Sequence, residues 1–182
     1  MSTAKEFIEN IYGVETWKIL PDLDEEDIWN LIQEYHKANP SILDTIKKEY
    51  KRKEAKGWDK IYLFLDLHET VIYPDYNNKE PIKFYEHAKE CLQFLSKIKE
   101  IELGFYTCSY PNEIEKYKIY FEELDIKIIH INNNEDVSDT RYGYYKDKPY
   151  FSLVFENKAG WNSENDWLPV FNWFKEYYSE KI

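Results

Sequence analysis

From residue 59 onward, the sequence alternates short apolar runs with stripes of apolar residues at helical spacing. The run IYLFL at 61–65 has the length and composition of a buried strand, and the stripe after it predicts a helix over 84–98. Strands are also predicted at 103–106, 126–131 and 151–155, and helices over 114–124 and 167–178. Strands that alternate with helices form parallel sheets through right-handed crossovers. We therefore predict an α/β domain over 59–182, with a Rossmann-like parallel sheet and helices on both faces.

The preceding segment, 1–58, shows helical patterns and no strand pattern. Asp24 can cap a first helix and Ser41 a second. The first apolar stripe contains Ile28, Leu31, Ile32 and Tyr35, and the second contains Ile42, Ile46 and Tyr50. Because stripes of this size would form an apolar patch if exposed, we expect both helices to pack against the α/β domain as an N-terminal helical extension.

The composition indicates a folded, acidic protein of 182 residues. A hydrophobic fraction of 43% excludes wholesale disorder, and no apolar run approaches the roughly 20 residues of a membrane span. The net charge of −11 repels polyanions and argues against an extended nucleic-acid interface. Cys91 and Cys108 lack metal-binding spacing, and the first residues lack the pattern of a secretion signal. We expect a cytoplasmic protein with reduced thiols and no membrane association.

Polar residues follow three of the predicted strands at the point where each strand ends. Asp66 follows the first strand, Thr107 and Ser109 follow the second, and Glu156 with Asn157 follows the last. In open parallel sheets, ligands bind at the carboxyl ends of the strands. A carboxylate nucleophile, hydroxyl groups for phosphate oxygens and oxygen ligands for Mg²⁺ together indicate a phosphoryl-transfer site.

Over 60–178, the order of these residues resembles that of the haloacid dehalogenase-like (HAD) superfamily, which consists mostly of phosphatases and phosphotransferases. The family pattern is Asp-x-Asp-x-Thr after one strand, Thr or Ser after a second, then a Lys, and an acidic pair after a later strand. The resemblance implies that Asp66 is the nucleophile that becomes phosphoaspartate. It also implies that Thr70, Thr107 and Ser109 bind phosphate and that Thr70 fixes the loop beside it.

The same resemblance implies an active-site lysine and a Mg²⁺ cofactor. The lysine is Lys148 or Lys146, both of which precede the last predicted strand. The implied metal ligands are the Asp66 carboxylate, the backbone carbonyl of His68, and the side chains of Glu156 and Asn157.

Two positions depart from the superfamily pattern. His68 replaces the second Asp, which is the usual general acid, and Glu156-Asn157 replaces Asp-Asp. Histidine can exchange protons near neutral pH, so His68 can serve as the acid. Asn157 offers a neutral oxygen, which binds a hard dication more weakly than a carboxylate does.

The sequence is also similar to a bacterial and phage-type HAD subset with Asp-x-His-Gly-Thr and Asp-Asp-Lys-Ala-Gly-Phe. The positions that match this subset are Asp66, His68, Thr70, Lys158, Ala159 and Gly160. The positions that depart from it are Glu69, Glu156, Asn157 and Trp161.

The resemblance predicts a Mg²⁺-dependent phosphatase. HAD phosphatases often gain substrate specificity from a cap domain inserted soon after the first motif. The segment 71–81 is too short to form one, so the site would be open. A phosphorylated small molecule and a phosphorylated macromolecule are therefore both candidate substrates. The alternative is a catalytically degenerate HAD-like protein that binds another protein or a second copy of itself through its acidic, aromatic surface.

Overall fold

The computed structural model of this chain describes residues 26–27, 30, 41–75, 81–140, 143–145 and 148–179. The chain divides into two compact units, Met1–Ser41 and Ile42–Ile182. In the first unit, Glu26, Asp27 and Asn30 have helical backbone. The predicted cap and stripe of this first helix lie outside the described residues: Asp24, Ile28, Leu31, Ile32 and Tyr35.

Parallel strands form an open sheet in the second unit. They are β1 (Ile61–Leu65), β2 (Ile101–Phe105), β3 (Ile128–Ile131) and β4 (Leu153–Phe155), in the spatial order β3-β2-β1-β4. Leu65 pairs with Phe105 on one side and with Phe155 on the other, so β1, β2 and β4 end at the same level. The predicted α/β fold with a Rossmann-like parallel sheet is confirmed. Strands β3 and β4 begin two residues later than predicted, because Ile126 and Phe151 pack as loop residues rather than in the sheet.

Helices follow most strands, as the alternating pattern predicts. They are α1 (Ile42–Lys56), α2 (Ala88–Leu95), α3 (Pro111–Glu123) and α4 (Trp167–Ser179), and a short 3-10 helix, Asn157–Ala159, follows β4. The helix predicted over 84–98 is shorter because His87, just before α2, has a left-handed φ of 65° that interrupts helical backbone. Within the described ranges, no helix is both long and apolar enough to cross a membrane.

Helix α1 packs into the same compact unit as the sheet. Its stripe residues Ile46 and Tyr50 are buried, as predicted for the second N-terminal helix. The Tyr50 hydroxyl lies 2.9 Å from the Tyr178 hydroxyl of α4, and Lys53 forms a 2.7 Å ion pair with Glu100 just before β2. The compact unit that contains the sheet therefore begins at residue 42 and includes α1.

Two helices contact one face of the sheet through aromatic rings. Phe105 and Phe155 point to this face because both pair with Leu65. The ring of Phe105 lies 5.2 Å from Phe121 of α3, and the ring of Phe155 lies 5.8 Å from Trp167 of α4. Rings therefore fill much of this layer, which accounts for the aromatic content of 18%.

The opposite face is covered differently. Tyr62 and Phe64 of β1 point to it, and their rings lie 5.8 and 6.3 Å from Tyr150 and Phe151. Those two residues belong to the loop before β4. A loop therefore covers this part of the second face.

Gly104 of β2 leaves room above it for the side chains of Phe64 in β1 and His130 in β3. A Cβ atom at this position would lie 2.8 Å from the Phe64 ring and 3.0 Å from His130 Cβ. Phe64 is fully buried, so its ring cannot move away without disturbing the layer beneath the loop. A residue larger than glycine at 104 would therefore overpack the sheet.

Candidate active site

Backbone hydrogen bonds continue beyond the strands at the carboxyl edge of the sheet. The Asp66 N–H donates to the Phe155 carbonyl at 3.0 Å, and the Tyr106 N–H donates to the Leu65 carbonyl at 2.8 Å. A cavity of about 780 Å³ opens at this edge. The predicted site residues that line it are Asp66, His68, Thr107, Ser109, Glu156 and Asn157. The structure thus brings three strand ends into one cavity.

Thr70 connects the loop after β1 to the loop after β4. Its hydroxyl donates to Asp66 Oδ2 at 3.4 Å and accepts from the Asn157 N–H at 3.1 Å. Its backbone carbonyl accepts from the Trp167 indole N–H at 3.0 Å. Thr70 is fully buried and is not among the residues that line the cavity. It is therefore placed to fix the loops, and its hydroxyl is not exposed to a phosphate in the cavity.

Glu69 has an unusual backbone conformation in the loop after β1. Its φ of 59° is left-handed, a region that residues other than glycine and asparagine seldom adopt. The Glu69 N–H donates to the Ile72 carbonyl at 3.0 Å, and the Ser163 hydroxyl donates to the Glu69 carbonyl at 2.6 Å. These bonds hold the Glu69 side chain at the cavity, where its Oε2 accepts from the Asn157 amide at 2.8 Å.

Asp66 lies half-buried at the base of the cavity. Burial is the main cause that raises the pKa of its carboxyl group above the usual value. A hydrogen bond from the Leu67 N–H opposes this shift, while the nearby charge of Glu156 adds to it. A cation between Asp66 and Glu156 would offset both the burial of charge and the repulsion.

The turn after β2 presents two hydroxyl groups. The Thr107 N–H donates to Asn132 Oδ1 at 2.8 Å, and the Asn132 amide donates back to the Thr107 carbonyl at 2.8 Å. The Thr107 hydroxyl donates to Ser109 Oγ at 3.1 Å and accepts from the Ser109 N–H at 3.2 Å. Asn132 directly follows β3, so its place at a strand end was the signal in the sequence for this residue, which was not predicted.

The structure places the candidate lysines differently from the resemblance. Lys148 is exposed in the loop before β4 and is not among the residues that line the cavity. Lys146 lies outside the described residues. Lys158, in the 3-10 helix after β4, lines the cavity. The sequence signals for Lys158 were its position directly after Glu156-Asn157 and its match to the HAD subset.

His68 is oriented by a residue of α3. Its Nε2 atom lies 2.9 Å from the Tyr117 hydroxyl, and both side chains line the cavity. Burial raises the pKa of Tyr117, so this hydroxyl stays neutral and can donate to or accept from the imidazole. Sequence reasoning did not identify Tyr117, because its helical spacing predicts only a core residue.

The residues at the cavity fit a hard divalent cation. Asp66 and Glu156 offer carboxylate oxygens, Asn157 offers an amide oxygen, and His68 offers its backbone carbonyl. Oxygen ligands of this kind suit Mg²⁺. The His68 ring, whose Nε2 faces Tyr117, is not needed in this ligand set.

A second group of ionisable side chains lies on the sheet face of Tyr62 and Phe64. Glu102 forms an ion pair with Lys60 and accepts a hydrogen bond from His130 Nε2 at 2.7 Å. Burial alone would raise the pKa of Glu102, but hydrogen bonds from Lys60 and His130 outweigh it and lower the pKa. Glu102, His130 and Asp136 lie close enough to share a metal ion, but the Lys60 ammonium already neutralises Glu102. We interpret this group as a structural ion-pair network.

Comparisons with known proteins do not assign this chain to a family. No protein-family model and no curated protein matches the chain. Among solved structures, one from Bacteroides thetaiotaomicron, described as a conserved protein, is 15% identical with a TM-score of 0.49. The match covers 65% of this chain and 92% of that one. Likeness at this level carries no argument about activity, so the α/β fold and the cavity rest on this chain's own strands and strand ends.

Proposed function

We propose that this protein is a HAD-like hydrolase, a Mg²⁺-dependent phosphatase that acts through an aspartyl-phosphate on Asp66. The observation that carries the proposal is the meeting of three strand ends at one cavity. Asp66 comes from the end of β1, Thr107 from the end of β2, and Glu156 from the end of β4. A nucleophile, phosphate-binding hydroxyls and cation ligands in one cavity support phosphoryl transfer.

In the first step, a carboxylate oxygen of Asp66 attacks the phosphorus, and the bond from phosphorus to the leaving alcohol oxygen breaks. The hydroxyl groups of Thr107 and Ser109 bind the phosphate oxygens. Lys158 takes the charge-stabilising role that the resemblance gave to Lys148, because Lys158 lines the cavity. His68 donates the proton that the departing alcohol needs.

In the second step, water attacks the phosphorus of the aspartyl-phosphate, and the bond from phosphorus to the Asp66 oxygen breaks. His68 accepts the proton from this water, because the first step left its ring without that proton. The products are inorganic phosphate and the regenerated Asp66 carboxylate. Tyr117 keeps the imidazole in place through both steps.

The cation has a specific role in this scheme. Asp66, Glu156, Asn157 and the His68 carbonyl would hold Mg²⁺, which when bound supplies positive charge against the phosphate oxygens. Glu69 and Glu113 also line the cavity, so a phosphate dianion would otherwise be repelled. The proposal therefore requires that activity depend on Mg²⁺.

A comparison of wild type with Asp66→Asn tests the proposal. Phosphate release is measured over a panel of small phosphomonoesters and a phosphopeptide, with MgCl₂ and with EDTA. We expect release by wild type with MgCl₂ only, and none by the variant, because an amide cannot form the acyl phosphate. Beryllium fluoride, a phosphate mimic, should raise the Tm of wild type and not that of the variant.

The alternative, a protein-binding module, is favoured by one observation. Tyr106 and Tyr110 line the cavity with exposures of 45% and 75%. Exposed rings of this kind are common in protein interfaces. A wild type as inactive as Asp66→Asn across the panel, with no response to beryllium fluoride, would favour this alternative.

A further inference from the structure

Position 157 has an asparagine where the HAD pattern has an aspartate, and the carboxylate of Glu69 lies beside it in space. Glu69 Oε2 lies 2.8 Å from Asn157 Nδ2, although the two residues are 88 positions apart in the chain. Both side chains line the cavity that contains Asp66 and Glu156. In the sequence, Glu69 and Asn157 are separate departures from the HAD subset, and the structure joins them in one contact.

This contact sets the direction of the Asn157 amide. An ionised carboxylate only accepts hydrogen bonds, so the NH₂ group of Asn157 must face Glu69. The amide oxygen of Asn157 then points away from Glu69. The Asn157 backbone is held as well, because its N–H donates to the Thr70 hydroxyl at 3.1 Å. Asn157 is therefore anchored through its backbone and through its side chain.

The loop around Glu69 is arranged to keep its side chain in this position. The left-handed φ of 59° is unfavourable for a residue with a side chain, and a glycine would adopt it without strain. Bonds from Ser163 and to Ile72 nevertheless hold the Glu69 backbone there. The strained backbone thus places a carboxylate against Asn157.

We infer that Glu69 and Asn157 together replace one carboxylate of the cation site. Asn157 supplies the neutral oxygen, and Glu69 is a positioning residue that orients this oxygen and supplies the negative charge. The inference rests on the proposed Mg²⁺-dependent function. It means that Glu69 adds a third carboxylate to the cavity that contains Asp66 and Glu156, and acts on the cation through Asn157.

A double-mutant cycle tests this pairing with MgCl₂ as the only ligand. Wild type, Glu69→Gly, Asn157→Asp and the double variant are titrated by isothermal calorimetry, and their Tm values are measured in EDTA. Their carboxylate numbers at the site are three, two, four and three. We expect Glu69→Gly to weaken Mg²⁺ binding about tenfold, as other losses of ligand-orienting groups do, and the double variant to return close to wild type.

The Tm values in EDTA test the contact itself. Asn157→Asp places a carboxylate against Glu69, so the single variant should have a lower Tm than wild type. In the Glu69→Gly background, the same substitution should lower the Tm less, because the opposing charge is gone. Glu69→Gln serves as a second variant that keeps the side-chain shape and should also weaken Mg²⁺ binding.

Glu164→Gln is the matched control, because Glu164 is an exposed carboxylate that accepts from Tyr73 and does not line the cavity. Its Mg²⁺ affinity should equal that of wild type. If wild type binds Mg²⁺ and Glu69→Gly and Glu69→Gln bind it equally well, the inference is wrong and the proposed function stands. If wild type binds no Mg²⁺, the proposed function fails, and the inference fails with it.

Discussion

Two groups of carboxylates in this sheet have opposite electrostatic environments. At the cavity, burial and the charge of Glu156 raise the pKa of Asp66. On the sheet face of Tyr62, hydrogen bonds from Lys60 and His130 lower the pKa of Glu102. The negative charge of Glu102 thus has hydrogen-bond donors within the protein, one of them the Lys60 ammonium, whereas folding disfavours the charge of Asp66.

This is the difference expected between a structural ion-pair group and the active site proposed at the cavity. An ion-pair network stabilises the folded protein through the charges that it contains. A carboxylate whose charge is disfavoured by folding is kept at a cost in stability, as is common in active sites. If the two groups divide in this way, neutral substitutions at Asp66 and at Glu102 should have opposite effects on stability.

The largest expected effect is that of Asp66→Asn. Turnover should fall by more than about 10⁴-fold, because the nucleophile is lost. Since folding disfavours the Asp66 charge, the neutral variant should also have a higher Tm than wild type in EDTA at pH 7. This advantage should shrink as the pH falls and Asp66 becomes protonated. A lower Tm for the variant would show that Asp66 stabilises the fold, as Glu102 does, and would contradict the comparison.

His68→Ala should lower kcat by about 10²- to 10⁴-fold, the usual contribution of a general acid and base. Tyr117→Phe removes only the hydroxyl that orients the ring, so its loss of kcat should be smaller. Tyr120→Phe, on the same helix and outside the cavity lining, is the control and should retain full activity. Equal kcat values for Tyr117→Phe and Tyr120→Phe would rule out an orienting role for Tyr117.

Gly104→Ala should destabilise the protein by about 1–3 kcal/mol, because its methyl group would lie 2.8 Å from the Phe64 ring. Urea unfolding followed by fluorescence measures this change. In a Phe64→Leu background, the same substitution should cost less, because the leucine side chain leaves room for the methyl group. An equal cost in both backgrounds would show that the ring is not the obstacle.

The smallest expected effect is that of Glu102→Gln, with a loss on the order of 1 kcal/mol at pH 7. The pKa of Glu102 is lower in the folded protein than in the unfolded chain. The Glu102 charge therefore contributes its full stabilisation above the unfolded pKa of about 4.3. This stabilisation is lost as the pH falls through the folded pKa. Unfolding of both proteins between pH 7 and pH 3 measures this. A difference that persists unchanged at pH 3 would indicate a packing effect instead of an ion pair.

Local patterns predicted the strands and most helices well, but they did less well at element boundaries. The apolar run at 61–65 became β1 with the same bounds, because a buried central strand needs a continuous run of apolar residues. The runs at 126–131 and 151–155 were too long, because Ile126 is a buried loop residue and Phe151 is an exposed one. Apolar residues also occur in loops, so an apolar run by itself does not mark where a strand begins.

Some residues of the candidate site were likewise predictable from the sequence, and others were not. The positions of Asp66, Thr107 and Glu156 at one cavity followed from the chain alone, because parallel strands end at a common edge. Lys158 and Asn132 were missed although both follow strand ends, because the family pattern directed attention to lysines before β4. Tyr117 could not be recognised, since a residue on the buried stripe of a helix gives no sign of a contact with His68.

What the sequence determined by itself was the fold class and the chemistry at the ends of the strands, because both depend on local periodicity and on chain direction. Tertiary structure decided which side chains meet across loops. The Glu69–Asn157 contact requires a left-handed backbone at Glu69, which hydrogen bonds from Ser163 and to Ile72 hold in place. Contacts of this kind depend on the packing of segments far apart in the chain, and no local pattern encodes them.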